Sequence, residues 1–471
     1  MATFLISTIN PVDGRVVKFR YDSSSSRLVD ADSGVSVVPL QAGVPDGTKA
    51  THSSSAGMAA KVSPSVLKIS LGLSCNYSCS YCSQRFVPHA DSSNPDDVEG
   101  FIEQLKVALT TPPQRIEFWG GEPFVYWKTL KPLAEGLRQH YPAAQFNVIT
   151  NGSLLDAEKN EWLDRLGFSV GLSHDGPGYH ARGMDPLDDT EKHAAIMDLY
   201  RRLHPQGRIS VNAMIHAGNP SRAAVQAWLQ ERFGQNVPIG EGAFIDPYDE
   251  GGLASSLKTP AEHVAFRQRA FAELRAGLAS NFAVASRKIM GFVDSLRNAR
   301  PATALGQKCG MDRADNLAVD LHGNVLTCQN VSASAVAPNG ELHKIGHLSD
   351  LASASLRTAT HWSQREHCTQ CPVLQLCQGS CMFLQEPLWE AACDNAYSDN
   401  VVFLAAAIEF LTGCIPFYID GDFHPDQSDR KDIFGQLQGE SATASKPVMH
   451  PTRVIPIFPA PLGSNESAVD A

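Results

Sequence analysis

Hydrophobic and polar positions alternate along this chain on two periods. Within residues 1–40, runs such as Arg15-Val16-Val17-Lys18-Phe19-Arg20-Tyr21 and Val35-Ser36-Val37-Val38 are divided by Asp-Gly and Ser-rich turns, which predicts a small N-terminal β extension. Residues 41–64 shift to Gly, Ser, Ala and Thr, with Pro45-Asp46-Gly47 and Ser53-Ser54-Ser55 among them, the composition of a linker. From residue 65 short apolar runs alternate with stretches of helical period. Strands are expected at Val66 to Leu71, Arg115 to Trp119, Gln145 to Ile149, Phe168 to Leu172, Arg208 to Met214 and Val237 to Phe244. Helices are expected near 95–110, 127–139, 157–166, 189–204 and 221–233, with further helix between 260 and 298.

This alternation argues for parallel βαβ units, so residues 65–300 read as an α/β fold: a partial (β/α)6 barrel of the TIM type. Chemistry in such folds collects on loops at the C-terminal ends of the strands. Residues 301–398 carry dense cysteines and few long apolar runs, as where metal centres replace part of a hydrophobic core. A helical run, Asn400 to Leu411, opens a C-terminal segment of residues 399–471. Its tail from Tyr418 holds eight acidic residues, four basic residues and six prolines, and much of it is expected to be flexible.

Composition narrows the function classes. A hydrophobic fraction of 43% over 471 residues supports a real core, and 39 Lys+Arg against 50 Asp+Glu gives −11, which disfavours nucleic acid and anionic membrane surfaces as partners. The longest apolar stretch, Val401 to Phe417, is broken by Glu409 and falls short of the roughly 20 residues of a membrane span. The start, MATFLISTINPVDGR, has no basic leader or apolar core, so a cytoplasmic location is expected. There the eleven cysteines stay reduced, and clustered ones read as metal ligands.

Cys75, Cys79 and Cys82 place three thiolates in eight residues, directly after the first barrel strand. Three soft ligands can hold three irons of a [4Fe-4S] cube and leave the fourth open. A structural zinc site would want a fourth ligand nearby, and the nearest candidate is His89. Trp119-Gly120-Gly121-Glu122-Pro123 closes the second strand; its glycines let backbone approach a ligand, and the Glu122 carboxylate, on what reads as a surface loop, can receive an ammonium group. Thr150-Asn151-Gly152 ends the third strand and Ser173-His174-Asp175-Gly176-Pro177 the fourth, while Asn212 lies near the end of the fifth.

These motifs resemble the radical S-adenosylmethionine (SAM) enzymes. The resemblance implies that Cys75, Cys79 and Cys82 hold a cluster whose open iron binds SAM, and that Tyr81 packs near the adenine. It further implies that Gly120, Gly121 and Glu122 bind the methionine amino group, that Ser173 and Asp175 contact SAM or substrate, with Asp175 the candidate catalytic residue, and that Asn212 contacts the SAM ribose or carboxylate. SAM would be cleaved reductively to a 5′-deoxyadenosyl radical that abstracts hydrogen from the substrate. A flavodoxin- or ferredoxin-type protein would supply the electron.

The second cysteine set is Cys309, Cys328, Cys368, Cys371, Cys377, Cys381 and Cys393, with Gly323 between the first two. Seven cysteines do not divide into two complete four-cysteine zinc sites. Their spacing resembles the SPASM domain, which implies two auxiliary [4Fe-4S] clusters and three clusters in all. By position Cys368, Cys371, Cys377 and Cys393 would hold one, and Cys309, Cys328 and Cys381 would give three ligands to the other. Cys414 lies outside the pattern and reads as a packed thiol.

Most SPASM relatives act on peptides or proteins, so the expected activity is maturation of a ribosomally synthesised peptide by crosslinking or related C–H chemistry. Anaerobic sulfatase maturation is the alternative, but that branch carries an Asp base where this chain has Gln329, followed by Asn330, and a neutral amide cannot accept the proton. A non-catalytic iron-sulfur or zinc protein is the reading from a different class. Residues 1–40 do not read as a compact winged-helix module for leader-peptide binding.

Overall fold

The structure, a computed structural model, describes residues 2–40, 61, 63–89, 93–280, 282–356 and 360–436. The linker expected at 41–64 therefore lies almost wholly outside the described residues, as does the tail beyond 436.

The N-terminal strands β1 (Thr3–Ile9), β2 (Val16–Asp22) and β3 (Arg27–Asp30) form an antiparallel meander. Alternation buries Phe4 and Ile6 of β1 on one face. The expected run Val35–Val38 contributes only an isolated bridge from Ser36 to Val29.

The barrel follows as β4 (Val66–Ser70), α1 (Asp97–Ala108), β5 (Arg115–Trp119), α2 (Trp127–His140), β6 (Gln145–Thr150), α3 (Ala157–Arg165), β7 (Phe168–Ser173), α4 (Thr190–Leu203), β8 (Ile209–Asn212), α5 (Arg222–Phe233) and β9 (Ile239–Glu241). Neighbouring strands from β4 to β9 pair in parallel, as βαβ connections require. Helix starts are set by side chains that accept orphan N–H groups: Asp156 caps α3 at Lys159, and Ser221 caps α5 at Ala224. One side of the sheet is almost wholly apolar, with Phe146 packed edge to face on Phe118 and Phe168, Phe118 tilted against Phe168, and Trp162 of α3 laid on Phe168. Every second residue faces the other way, and there β7 and β8 carry Ser169, Gly171, Ser173, Ser210 and Asn212, all only half-buried in their strands.

After α6 (Glu250–Ala254), α7 (Pro260–Arg275) and α8 (Ala283–Arg297), the chain adds β10 (Asn316–Asp320), β11 (Asn324–Leu326) and β12 (Lys344–His347). Strand β10 pairs in parallel with β4, so the sheet runs β12-β11-β10-β4-β5-β6-β7-β8-β9 and crosses the boundary expected between residues 300 and 301. Lys61, itself buried, fixes that junction by donating to the carbonyls of Met311, Arg313 and Asn316 at 3.0, 2.9 and 2.7 Å.

The cysteine-rich segment continues through the single-turn helices α9 (Glu366–Thr369) and α10 (Leu374–Cys377) into α11 (Leu388–Thr412). Helix α11 begins twelve residues before the expected Asn400, because its first half mixes apolar residues with buried polar ones that have tertiary partners. Asn395 accepts from Leu257 N–H at 3.2 Å, Ser398 meets His263 at 2.8 Å, and Asp399 pairs with Arg222 at 2.6 Å.

The first part of the tail expected from Tyr418 is ordered into the fold; the rest, beyond residue 436, lies outside the described residues. Strand β13 (Ile415–Gly421) joins the edge of β1, giving a four-stranded sheet of order β13-β1-β2-β3. A 3-10 turn at Pro425–Lys431 follows, and Phe434 stacks on Phe271 while Arg267 donates to the Ile433 carbonyl at 2.7 Å. Proline and acidic content hid a segment in which Ile419, Ile433 and Phe434 are buried.

Candidate active site

The loop after β4 carries Cys75, Cys79 and Cys82 and is laced to the ends of the strands beside it. Gly121 N–H donates to the Gly72 carbonyl at 3.0 Å and Glu122 N–H to the Ser74 carbonyl at 3.1 Å. This approach admits no side chain at Gly121, where a Cβ would stand 2.4 Å from the Ser74 oxygen. Gly72 has φ +122°, and the Tyr126 hydroxyl occupies the space beside it while accepting from Ser74 N–H at 2.8 Å. At Gly120 a Cβ would come within 2.9 Å of the Gly72 carbonyl.

Glu122 departs from the expected surface loop: its side chain is sealed at 1% exposure. One carboxylate oxygen accepts from Thr150 Oγ1 at 2.7 Å and Phe124 N–H at 3.2 Å, and the other accepts from Asn151 N–H at 2.8 Å. Burial raises its pKa, with the hydrogen bonds from Asn151, Thr150 and Phe124 pulling the other way. Asn151 then reaches the cysteine loop, its Nδ2 donating to Asn76 Oδ1 at 2.9 Å, and Asn76 Nδ2 donates to Ser153 Oγ at 2.7 Å. The Thr150-Asn151-Gly152 turn is thus a clamp on the loop.

Strands β7 and β8 hold the far end of the loop. Asp175 is fully buried; it accepts from the Tyr81 hydroxyl and from Met214 N–H at 2.9 Å. Arg182 donates to Tyr81 Oη at 3.2 Å and lies 3.7 Å from Asp175 Oδ1. Burial works against the charge of Arg182, but Tyr81, Asp175 and Cys79 outweigh it and push its pKa up. Burial raises the Tyr81 pKa well above its ordinary value, opposed by Arg182 and reinforced by Asp175. Asp175 thus ties Tyr81, Arg182 and the end of β8 together. Ser173 and Asn212 are register partners at the ends of β7 and β8. Asn212 Oδ1 accepts from Ser210 at 3.4 Å.

Arg182 and His216 were not legible as site residues. His216 is buried, tilted against the Tyr81 ring at 5.6 Å, with Nε2 lacking a hydrogen-bond partner among the described residues. Burial lowers its pKa, with Asp175 opposing. Neither residue belongs to a local motif; only their placement after β7 and β8 could have pointed to them.

Cys75, Cys79 and Cys82 are free and mutually close. Burial pushes the Cys79 thiol up to about 11, opposed by Arg182. Three sulfurs at a barrel mouth, without a fourth cysteine beside them, fit a cube with one open iron. Cys368, Cys371, Cys377 and Cys393 line one small cavity. Arg430 donates to Cys393 Sγ at 3.5 Å. That donor set fits a complete four-thiolate cluster. Cys309, Cys328 and Cys381 form a separate group, where Tyr248 is hydrogen-bonded to Cys381. Cys414 sits in the apolar core next to β13, twenty-one residues along the chain from Cys393 and so about 30 Å away along α11.

The arrangement defines a barrel whose strand ends converge on a three-cysteine loop. Residues 69–221 match the family model of the Radical SAM superfamily. Among curated proteins, the chain is 25% identical to the radical SAM cyclopropyl synthase TigE of Paramaledivibacter caminithermalis over an alignment 147 positions long, covering 26% of this chain and 30% of that relative. Among solved structures, native anSMEcpe with bound AdoMet and the Cp18Cys peptide superposes with a TM-score of 0.52 at 19% identity, covering 74% of this chain and 98% of that one. Hexahistidine-tagged anSMEcpe with bound AdoMet gives 0.51 at 19% identity over the same shares. This chain contains a radical SAM domain and has the radical SAM fold. That superfamily consists of enzymes that bind SAM and a [4Fe-4S] cluster. Among the described residues, no helix is long and apolar enough to cross a membrane.

Proposed function

We propose that this chain is a radical SAM/SPASM peptide maturase, carrying one SAM-binding and two auxiliary [4Fe-4S] clusters and acting on a ribosomally synthesised peptide. The observation that carries it is the lacing of the Cys75–Cys82 loop to the ends of β5, β6, β7 and β8, which holds three sulfurs in register at the barrel mouth. With SAM and cluster bound there, the site supplies a 5′-deoxyadenosyl radical on one-electron reduction. The protein orients and excludes water. Glu122 fixes the loops after β5 and β6, Asp175 and Arg182 set the Tyr81 ring where an adenine would lie, and Ser173 and Asn212 offer polar contacts on the inner face. Holding one C–H bond at the radical carbon requires contacts remote from that bond, which a polypeptide supplies.

Gln329 favours peptide crosslinking over formylglycine formation. It is buried beside Cys328, its Oε1 has no hydrogen-bond partner among the described residues, and an amide there accepts a hydrogen bond but not a proton. The solved relative anSMEcpe, seen with the Cp18Cys peptide, gives the substrate class a precedent on this fold. The electron donor in this reading is a flavodoxin- or ferredoxin-type protein.

The test is anaerobic reconstitution with iron and sulfide, followed by reduction with SAM present. The expected result is a brown protein that releases 5′-deoxyadenosine and takes deuterium into it from a labelled precursor peptide. A colourless, zinc-loaded protein that leaves SAM intact would overturn the enzyme reading, and deuterium transfer only from a small metabolite would overturn the peptide one.

A further inference from the structure

Away from the barrel mouth, Glu366 and His367 of α9 meet His424 and Asp426 of the C-terminal segment. Asp426 Oδ2 lies 3.8 Å from His367 Nε2 and 3.5 Å from His424 Nδ1. One ligand atom from each of the three lies within 4.8 Å of the other two. The imidazole rings approach to 3.8 Å between centroids, with 35° between their planes.

His424 Nδ1 is buried without a hydrogen-bond partner among the described residues. Its other nitrogen, Nε2, faces Glu366 Oε2 at 3.8 Å. A carboxylate on the Nε2 side favours an imidazole orientation in which Nδ1 faces Asp426. Ligand atoms around tetrahedral zinc stand about 3.3 Å apart, so the separations of 3.5 and 3.8 Å from Asp426 are close to that spacing, while the two rings, 3.8 Å apart between centroids, must part by about 1 Å for both to reach one ion. Two imidazoles and one carboxylate suit zinc and similar late first-row ions, whereas calcium and magnesium prefer all-oxygen sites.

We propose that His367, His424 and Asp426 bind a divalent cation of the zinc class, with Glu366 orienting His424, and that the ion staples the C-terminal segment to the cysteine-rich domain. The staple lies beside both partners of another link between these parts. Cys368 follows His367, and the 3-10 turn that begins after His424 carries Gln427 and Arg430, which donate to Cys393 Sγ at 3.7 and 3.5 Å. Fixing the segment at His424 and Asp426 thus fixes the donors that cover the four-cysteine cavity. This ion is separate from the clusters, and its site uses none of the cysteines.

The test uses the full chain, loaded with iron and sulfide, then incubated with zinc sulfate and passed through a desalting column equilibrated with a weak chelator. Elemental analysis is expected to find about one zinc per chain without loss of iron, and X-ray absorption to find nitrogen and oxygen ligands without sulfur. His424→Ala and Asp426→Asn are expected to weaken zinc retention roughly tenfold or more while iron and sulfide stay unchanged. Asp426 is 77% exposed, so its substitution tests the site even if His424→Ala does not fold. Wild-type protein without zinc, zinc retained equally by Asp426→Asn, sulfur in the zinc shell, or zinc gained only as iron is lost would each overturn the proposal.

Discussion

Thr150 Oγ1 donates to Glu122 Oε1 at 2.7 Å, and both residues are 1% exposed. With Asn151 and Phe124 also donating to it, the carboxylate ties the second and third strand ends together. Removing it leaves those donors unpaired in a water-free place, so Glu122→Ala is expected to lower the unfolding free energy by about 2–4 kcal/mol. Glu122→Gln keeps an acceptor oxygen and should cost less. Denaturant unfolding of the cluster-loaded protein measures this; equal stability of wild type and Glu122→Ala would remove the clamp role.

Cys75→Ala, Cys79→Ala and Cys82→Ala are each expected to abolish 5′-deoxyadenosine formation and to lower the iron content by about four per chain, since three thiolates are the minimum for an open-iron cube. Cys414→Ala should retain both, because its thiol is packed in the core about 30 Å along α11 from Cys393. Iron analysis beside a product assay separates the four variants. Turnover by Cys79→Ala would refute the assignment.

The barrel was legible because its strands are short apolar runs between helical patterns: Arg115–Trp119 carries the expected limits, and the others differ by a few residues at their ends. Cysteine spacing was legible because ligands of one centre lie close in sequence. What local patterns cannot show is pairing across long separations. Strand β10 lies beside β4, 250 residues earlier at the pair Asn316 and Val66, and nothing near either strand announces it. The same holds for β13 against β1. Glu122 was misplaced because a Gly-Gly-Glu-Pro turn reads as exposed, whereas the backbone close to Ser74 and the Thr150 turn seals it. Arg182 and His216 join the site only when the loops after β7 and β8 fold over Tyr81.

Stability should fall in mild acid. Burial lowers the pKa of His216, His263 and His343 from the ordinary 6.5. As pH drops below 6.5, the unfolded chain takes protons at these positions that the folded chain refuses, so folding loses free energy; above 6.5 both states are neutral there and the contribution is complete. Each such group adds at most about 1.4 kcal/mol per pH unit across that window. Unfolding midpoints at pH 7.5 and 5.5 measure the loss, and His263→Gln should reduce it. A midpoint independent of pH over this range would contradict the buried neutral imidazoles.

Arg430 is expected to set the redox behaviour of the centre at Cys368, Cys371, Cys377 and Cys393. Its guanidinium is buried, donates to Cys393 Sγ at 3.5 Å, and pairs with Asp394. Burial opposes its charge, but Cys393, Asp394 and Cys371 hold its pKa above the ordinary value, so it stays protonated at all relevant pH. A positive hydrogen-bond donor on a cluster sulfur favours the more reduced, more negative state. Arg430→Met keeps much of the side-chain volume and removes the donor and the charge, so the potential of that centre should move to more negative values. Arg430→Lys restores the charge and should move it part of the way back. Potentiometric titration followed by electron paramagnetic resonance reads the centre independently of turnover, and an unchanged potential in a cluster-loaded Arg430→Met protein would show that the contact to Cys393 carries only packing.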